Sequence, residues 1–238
     1  MDYYHKYLKY KKKYNYLKGK SKKVIFSEII PVKMVDTNPI IDFNNYLVYK
    51  NNNILELIRN NARFTKFHLD CNCPDTYKNY YSYAIMFFEE LNKIFPKEYL
   101  KIKTLILGFG LGGIPLRLSR LNYVEKIDCV DYDYDLFRIF KTVIPTPSAK
   151  INLYHADAIN YIKNTNNKYD VIVDDLFEEN TKVFYDYHLI YNILNPNGLF
   201  FINVHYQPQM EQSIAILEKI FKKVFYRRKD EYLIICYK

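Results

Sequence analysis

An apolar run from Thr104 to Leu107 opens into a loop holding Gly108, Gly110, Gly112 and Gly113, and a second apolar run ends at Asp131, 23 residues after Gly108. Few chain patterns constrain a fold more. The glycines let backbone approach a ligand without Cβ interference, and a helix starting near Gly113 directs its unpaired N–H groups toward the same crevice. A carboxylate at the tip of the next strand can accept hydrogen bonds from ribose hydroxyls. A glycine string alone is a weak signal, with a tight structural turn as the plain alternative. The strand before it, the helix after it and Asp131 together point to a nucleoside site.

From residue 104 onward, strand-like and helix-like segments alternate. Strands are expected at Thr104–Leu107, Lys126–Val130, Ile151–His155, Tyr169–Asp174, Gly198–Val204, Val224–Arg228 and Glu231–Tyr237. Helices are expected near Ile114–Leu121, Tyr134–Val143, Ala158–Asn164, Thr181–Leu194 and Gln209–Phe221. This alternation predicts an α/β fold with helices on both faces of a mostly parallel sheet. Only Lys229 and Asp230 separate the last two strands, too few for a parallel crossover, so those strands form an antiparallel hairpin.

Residues 24–75 read as a small antiparallel β subdomain, with short strands at Val24–Ile30, Tyr46–Tyr49, Ile54–Ile58 and Phe64–Leu69 and a turn at Asn51 to Asn53. A helix over Thr76–Phe95 leads into the main domain, and Pro96 marks its end. The expected domains are therefore a basic segment (1–23), a β lid (24–75) and a Rossmann-like domain (76–238).

The net charge of +9 is concentrated at one end. Nine of the 35 lysines and arginines but only one of the 26 acids fall in residues 1–23, so the rest of the chain carries 26 basic against 25 acidic residues. Attraction to phosphate backbones therefore belongs to the tail. There Tyr3, Tyr7, Tyr10, Tyr14 and Leu17 repeat at heptad spacing among the lysines, which suits a solvated basic helix, packing on a partner, or stacking on single-stranded nucleic acid. No apolar run approaches the length of a membrane span or a signal peptide, so a cytosolic soluble protein is expected. Cys129 and Cys236 lie in strand-like runs as reduced core residues. Cys71 and Cys73 lack the spacing of a zinc or redox motif, and no metal is expected.

Over roughly residues 54–205 the chain resembles the spermidine synthase family, within the class I S-adenosylmethionine-dependent methyltransferase superfamily. The matching pieces are Phe67 to Asp70, Tyr80 to Ala84, Gly108 to Gly113, Val130 to Asp133, Ala156 to Ala158 and Tyr169 to Phe177. The resemblance implies a seven-stranded Rossmann-like sheet and a donor site formed by Gly108, Phe109, Gly110, Gly112, Asp131, Tyr132, Asp157 and Ala158. Asp131 would hold the ribose and Asp157 the adenine amino group, while Asp133 either caps its helix or contacts ligand. The reacting end would use Asp175, with Asp174 and Glu178 as further carboxylates, and an acceptor would meet Tyr81, Asn203 and His205. A solvated acidic turn is the plain alternative for Asp174 to Glu179. His68, His155 and His188 are given no role.

One departure bears on the reaction. Synthases of this type carry Asp in the glycine loop where this chain has Leu111, and that Asp pairs with the ammonium of decarboxylated S-adenosylmethionine. Leu111 and the Asp175-Leu176-Phe177 sequence are closer to methyltransferase-like relatives. The expected function is accordingly methyl transfer from S-adenosylmethionine to a small acceptor such as an amine. The alternatives are a polyamine aminopropyltransferase, and a non-catalytic protein that binds nucleic acid or protein through its basic tail. By the same resemblance, the small N-terminal sheet implies a homodimer.

Overall fold

The computed structural model describes residues 39–44, 46–51, 54–59, 62–68, 82–94, 101–144, 146–178 and 181–238. Residues 38–238 form one compact unit. The basic segment, the expected strand at Val24–Ile30, Cys71, Cys73 and Tyr81 lie outside the described residues.

The main sheet has seven strands: β5 (Ile102–Leu107), β6 (Val124–Asp131), β7 (Ile151–His155), β8 (Tyr169–Asp174), β11 (Leu194–Val204), β12 (Lys223–Arg228) and β13 (Tyr232–Tyr237). Their order is β12-β13-β11-β8-β5-β6-β7. All neighbours are parallel except β13, which runs antiparallel to both β11 and β12. The short link at Lys229 and Asp230 thus makes the predicted hairpin, and it inserts β13 between β11 and β12.

The sheet is apolar on both faces because its inner strands are nearly continuous apolar runs whose side chains alternate sides. Ile106, Val171, Val173, Phe201 and Ile235 join one core, while Leu105, Leu107, Ile172, Phe200, Ile202 and Ile234 join the other. Helices α1 (Ser82–Ile94), α2 (Gly113–Leu118) and α3 (Tyr134–Val143) cover the first face through Phe87, Leu91, Ile114, Leu116, Phe137 and Phe140. Helices α4 (Ala158–Asn164), α5 (His188–Ile193) and α6 (Gln207–Leu217) cover the second through Ala158, Ile162, Ile190, Ile193, Met210 and Leu217. Cys129 and Cys236 are free, buried thiols in separate cores.

The expected helix over Thr181–Leu194 is a correction. Thr181–Lys182 forms a two-residue strand, β10, paired with β9 (Phe177–Glu178), and the helix begins only at His188. Lys182 is drawn inward to Asp174, and Tyr185 and Tyr187 are buried, contacts that a helix starting at Thr181 is not required to supply.

The small antiparallel sheet comprises β1 (Ile41–Phe43), β2 (Tyr46–Asn51), β3 (Ile54–Arg59) and β4 (Ala62–His68). Tyr46, Val48, Leu55 and Leu57 extend the first core. A polar tie accompanies this packing: Asp133 caps α3 by accepting from the Asp135 N–H at 3.0 Å, and its other oxygen accepts from the Tyr46 hydroxyl at 2.6 Å. Arg59 lies 3.8 Å from the same carboxylate, and Asn44 donates to Asp135 at 2.7 Å. Of the two roles weighed for Asp133, the cap is the one observed. Asp133→Ala is expected to cost about 1–2 kcal/mol and lower Tm by roughly 2–8 °C, while Asp133→Asn, which keeps a cap acceptor, loses less. Equal thermal unfolding of the Ala variant and wild type would remove the tie from the account.

Candidate functional site

β5 is the point where the strand order reverses: β6 lies on one side and β8 on the other. Open α/β sheets bind ligands outside the carboxyl ends of the strands at such a point. Here Gly108 takes φ +86°, and a Cβ on it would stand 2.6 Å from the Asp175 carbonyl oxygen. The Asp175 N–H in turn donates to the Leu107 carbonyl at 2.8 Å. The glycine is required because the two strand tips touch. A cavity of about 420 Å³ lined by Lys101, Lys103, Lys126 and Lys168 opens at the opposite, amino-terminal edge of the sheet. It holds none of the strand-tip groups.

On the donor side, Asp131 accepts from the Phe109 N–H at 2.7 Å and from the Asp133 N–H at 2.9 Å. Burial raises its pKa, and the two amide bonds oppose that rise. Asp131 therefore fastens the glycine loop to the tip of β6. Above Gly110, at φ +55°, the space where a Cβ would sit is open. Tyr132 is exposed, and Asp157, exposed at the tip of β7, caps α4 through the Asn160 N–H at 2.7 Å. Open space over a glycine, with a carboxylate and an exposed aromatic residue on adjacent tips, is compatible with a nucleoside.

Phe109, Gly112 and Ala158, also expected at the donor, have packed surroundings. The Phe109 side chain is buried edge-to-face against Phe137 and Phe140. Gly112 serves that packing too, since a Cβ there would meet both Phe109 and Phe140 at 2.7 Å. Ala158 is buried in the second core.

On the reacting side the adjacent acids part company. Asp174 is wholly buried, its oxygens taken by the Lys182 ammonium at 2.6 Å and the Tyr185 hydroxyl at 3.0 Å. It is a structural ion pair and not a reacting carboxylate. Glu178 lies in β9, where its backbone pairs with Thr181. Lys182→Met, which strands the Asp174 charge in the core, is expected to cost about 3–5 kcal/mol in chemical denaturation. A loss below about 1 kcal/mol would contradict a buried pair.

Asp175 keeps some solvent contact as a residue, yet protein encloses its carboxyl group. It accepts from the Tyr83 hydroxyl at 2.5 Å and from Asn203 Nδ2 at 2.8 Å. Burial pushes its pKa up to about 6, against the Tyr83 and Asn203 hydrogen bonds and the charge on Lys182, which pull it down. Among the described residues Asn203 Oδ1 is buried with no hydrogen-bond partner, which leaves an unfilled acceptor beside Asp175. His205 stacks on Phe177 with ring centroids 4.0 Å apart and lies 3.5 Å from Glu231. Burial, then Lys182, lower its pKa to about 4, so it is neutral at physiological pH.

Sequence reasoning missed Tyr83, Lys182 and Glu231. Tyr83 is one of several tyrosines at this point of the sequence, and nothing local marks it as the partner of Asp175.

Because the folded pKa of Asp175 lies above its unfolded value, the stability it contributes is present at low pH and lost as pH rises through about 6. Asp175→Asn is expected to gain on wild type by about 2–3 kcal/mol between about pH 4 and pH 8, in urea titrations. A pH-independent difference would contradict the raised value.

The seven-stranded order with an antiparallel strand beside its edge defines a class I methyltransferase-like fold. Solved structures share it: a probable spermidine synthase from Corynebacterium glutamicum (TM-score 0.66, 14% identity, 81% of this chain and 76% of that one). The same holds for spermidine synthase from Thermotoga maritima (0.60, 17%, 81% and 69%) and human methyltransferase-like protein 13 in complex with SAH (0.55, 21%, 64% and 80%). The model of the spermine/spermidine synthase domain matches residues 82–236, and the chain belongs to that family. Among curated relatives, polyamine aminopropyltransferases from Clostridium botulinum (28% identity, 51% of this chain, 46% of the relative) and Buchnera aphidicola (30%, 52% and 47%) are similar. The chain spans about half the length of these relatives.

The expectation of methyl transfer is corrected by these relatives, all named for aminopropyl transfer. The physical basis of that expectation fails as well. Leu111 is 1% exposed and packs in the first core, so its side chain does not face the donor and cannot report which donor tail is accepted. Among the described residues no helix is long and apolar enough to cross a membrane.

Proposed function

We propose that the protein is a transferase of the polyamine aminopropyltransferase type, moving an aminopropyl group from decarboxylated S-adenosylmethionine to a small amine. The observation that carries the reading is Asp175, an enclosed carboxylate with a pKa near 6, held by Tyr83 and Asn203 against the glycine loop. The family match and the names of the curated relatives support it.

The donor's sulfonium supplies the leaving group, so the chain's task is alignment and proton removal. A new C–N bond forms as the C–S bond breaks, and the sulfur keeps the bonding pair as a neutral thioether. Asp175 takes the proton lost by the amine, and a base with a pKa near 6 is ionised at neutral pH and ready to accept it. Asn203 Oδ1 accepts a second amine N–H and directs the lone pair. Asp131 and the hollow above Gly110 hold the nucleoside.

Incubation with decarboxylated S-adenosylmethionine and putrescine is expected to yield a spermidine-like product by mass spectrometry, with an acidic limb near pH 6. Asp175→Asn is expected to lower kcat by about 10²–10⁴-fold. Methylated acceptor formed from intact S-adenosylmethionine, without aminopropyl product, would overturn the reading.

A further inference from the structure

Tyr83 is the second residue of α1, within the first turn, where backbone N–H groups lack intrahelical partners and helices fray. A phenol on a fraying turn is a poor partner for a buried carboxylate unless something holds the turn. The holding group comes from the far end of the chain. Glu231, at the turn between β12 and β13, accepts the Tyr83 N–H on Oε2 at 3.2 Å, across 148 residues of sequence. Its other oxygen lies 3.5 Å from His205 Nε2, and its side chain is only 15% exposed. The turn carrying Glu231 is closed by the Lys229 N–H on the Glu231 carbonyl at 3.0 Å. One residue, Tyr83, thus receives Glu231 at its amide and meets Asp175 at its hydroxyl.

We propose that Glu231 is a positioning residue, anchoring the first turn of α1 to the β12–β13 hairpin so that the Tyr83 hydroxyl stays on Asp175. Its importance for turnover rests on the reading of Asp175 as the proton acceptor, whereas the anchoring itself does not. A carboxylate suits the task, since the N-terminal turn of a helix favours negative charge and a charge-assisted bond is stronger than a neutral one. The groups that face Asp175 are Tyr83 from α1, Lys182 from β10, Asp174 from β8, and Asn203 with His205 from the end of β11.

The sign of one measurement separates anchoring from simple electrostatics. Removing a nearby anion lowers the pKa of a carboxyl group, whereas loss of the Tyr83 hydrogen bond raises it. The midpoint of Asp175 is read by carboxyl ¹³C NMR on the full-length protein, a readout that needs no catalysis and so survives failure of the proposed reaction. Tyr83→Phe is expected to raise the midpoint by about one pH unit. Glu231→Ala is expected to raise it similarly, and the double variant to go no further. Glu231→Gln keeps an acceptor for the Tyr83 amide and is expected to stay close to wild type. If the Ala variant does not fold, Glu231→Asp, which keeps the charge but withdraws it by one methylene, gives a smaller upward shift. An unchanged or lowered midpoint in Glu231→Ala (in Glu231→Asp, if that variant is used), no shift in Tyr83→Phe, or shifts that add in the double variant overturns the proposal.

Discussion

The contact between Gly108 and the Asp175 carbonyl is the constraint on which the site depends. Two parallel strands, β5 and β8, end side by side where the strand order reverses, and backbone meets backbone with no room for a Cβ. That closeness sets the glycine loop and Asp175 side by side at the carboxyl ends of the two strands. It also explains why both halves of the site are built from strand tips: the parallel ladders that hold the tips in register run through the most deeply buried part of the chain.

Three aspartates at these tips show how environment divides one residue type into three roles. Asp131 spends its oxygens on the amides of Phe109 and Asp133, and so ties a loop down. Asp174 faces a buried ammonium and a phenol, and so locks the β9–β10 hairpin under the sheet edge. Asp175 is enclosed as well, but its hydrogen-bond donors are a neutral hydroxyl and a neutral amide. Desolvation therefore outweighs the groups that favour its charge and raises its pKa to about 6, while at Asp131 two backbone amides oppose the rise that burial causes. Buried, weakly compensated carboxylates cost stability, and their presence at a crevice is a mark of chemistry.

Much of this was legible beforehand for identifiable reasons. The near-continuous apolar runs at Leu105 to Leu107, Val171 to Val173 and Leu199 to Ile202 can only be satisfied by a sheet covered on both faces. The two-residue link at Lys229 and Asp230 admits only a hairpin. The spacing of Gly108 and Asp131 set the glycine loop beside the tip of the next strand, where the Phe109 N–H meets the Asp131 carboxylate. Lys182 was invisible because a lysine before an apolar segment reads as helix surface, and nothing local reveals a carboxylate waiting in the core. Leu111 misled for the converse reason: a loop position was taken to face the ligand, whereas the left-handed bends at Gly110 and Gly112 turn its side chain inward.

The alternation of strands and helices, the hairpin and the glycine loop were determined by sequence alone, because chain connectivity and backbone sterics are local properties that a pattern of residues expresses directly. That the Tyr83 hydroxyl reaches Asp175, which of two adjacent aspartates is paired away, and that Glu231 returns to the first turn of α1 were decided only by tertiary structure. Those outcomes depend on the phase of a helix against a sheet and on partners distant in sequence, and the energies that select them, desolvation and hydrogen bonding, exist only once the chain has folded around them.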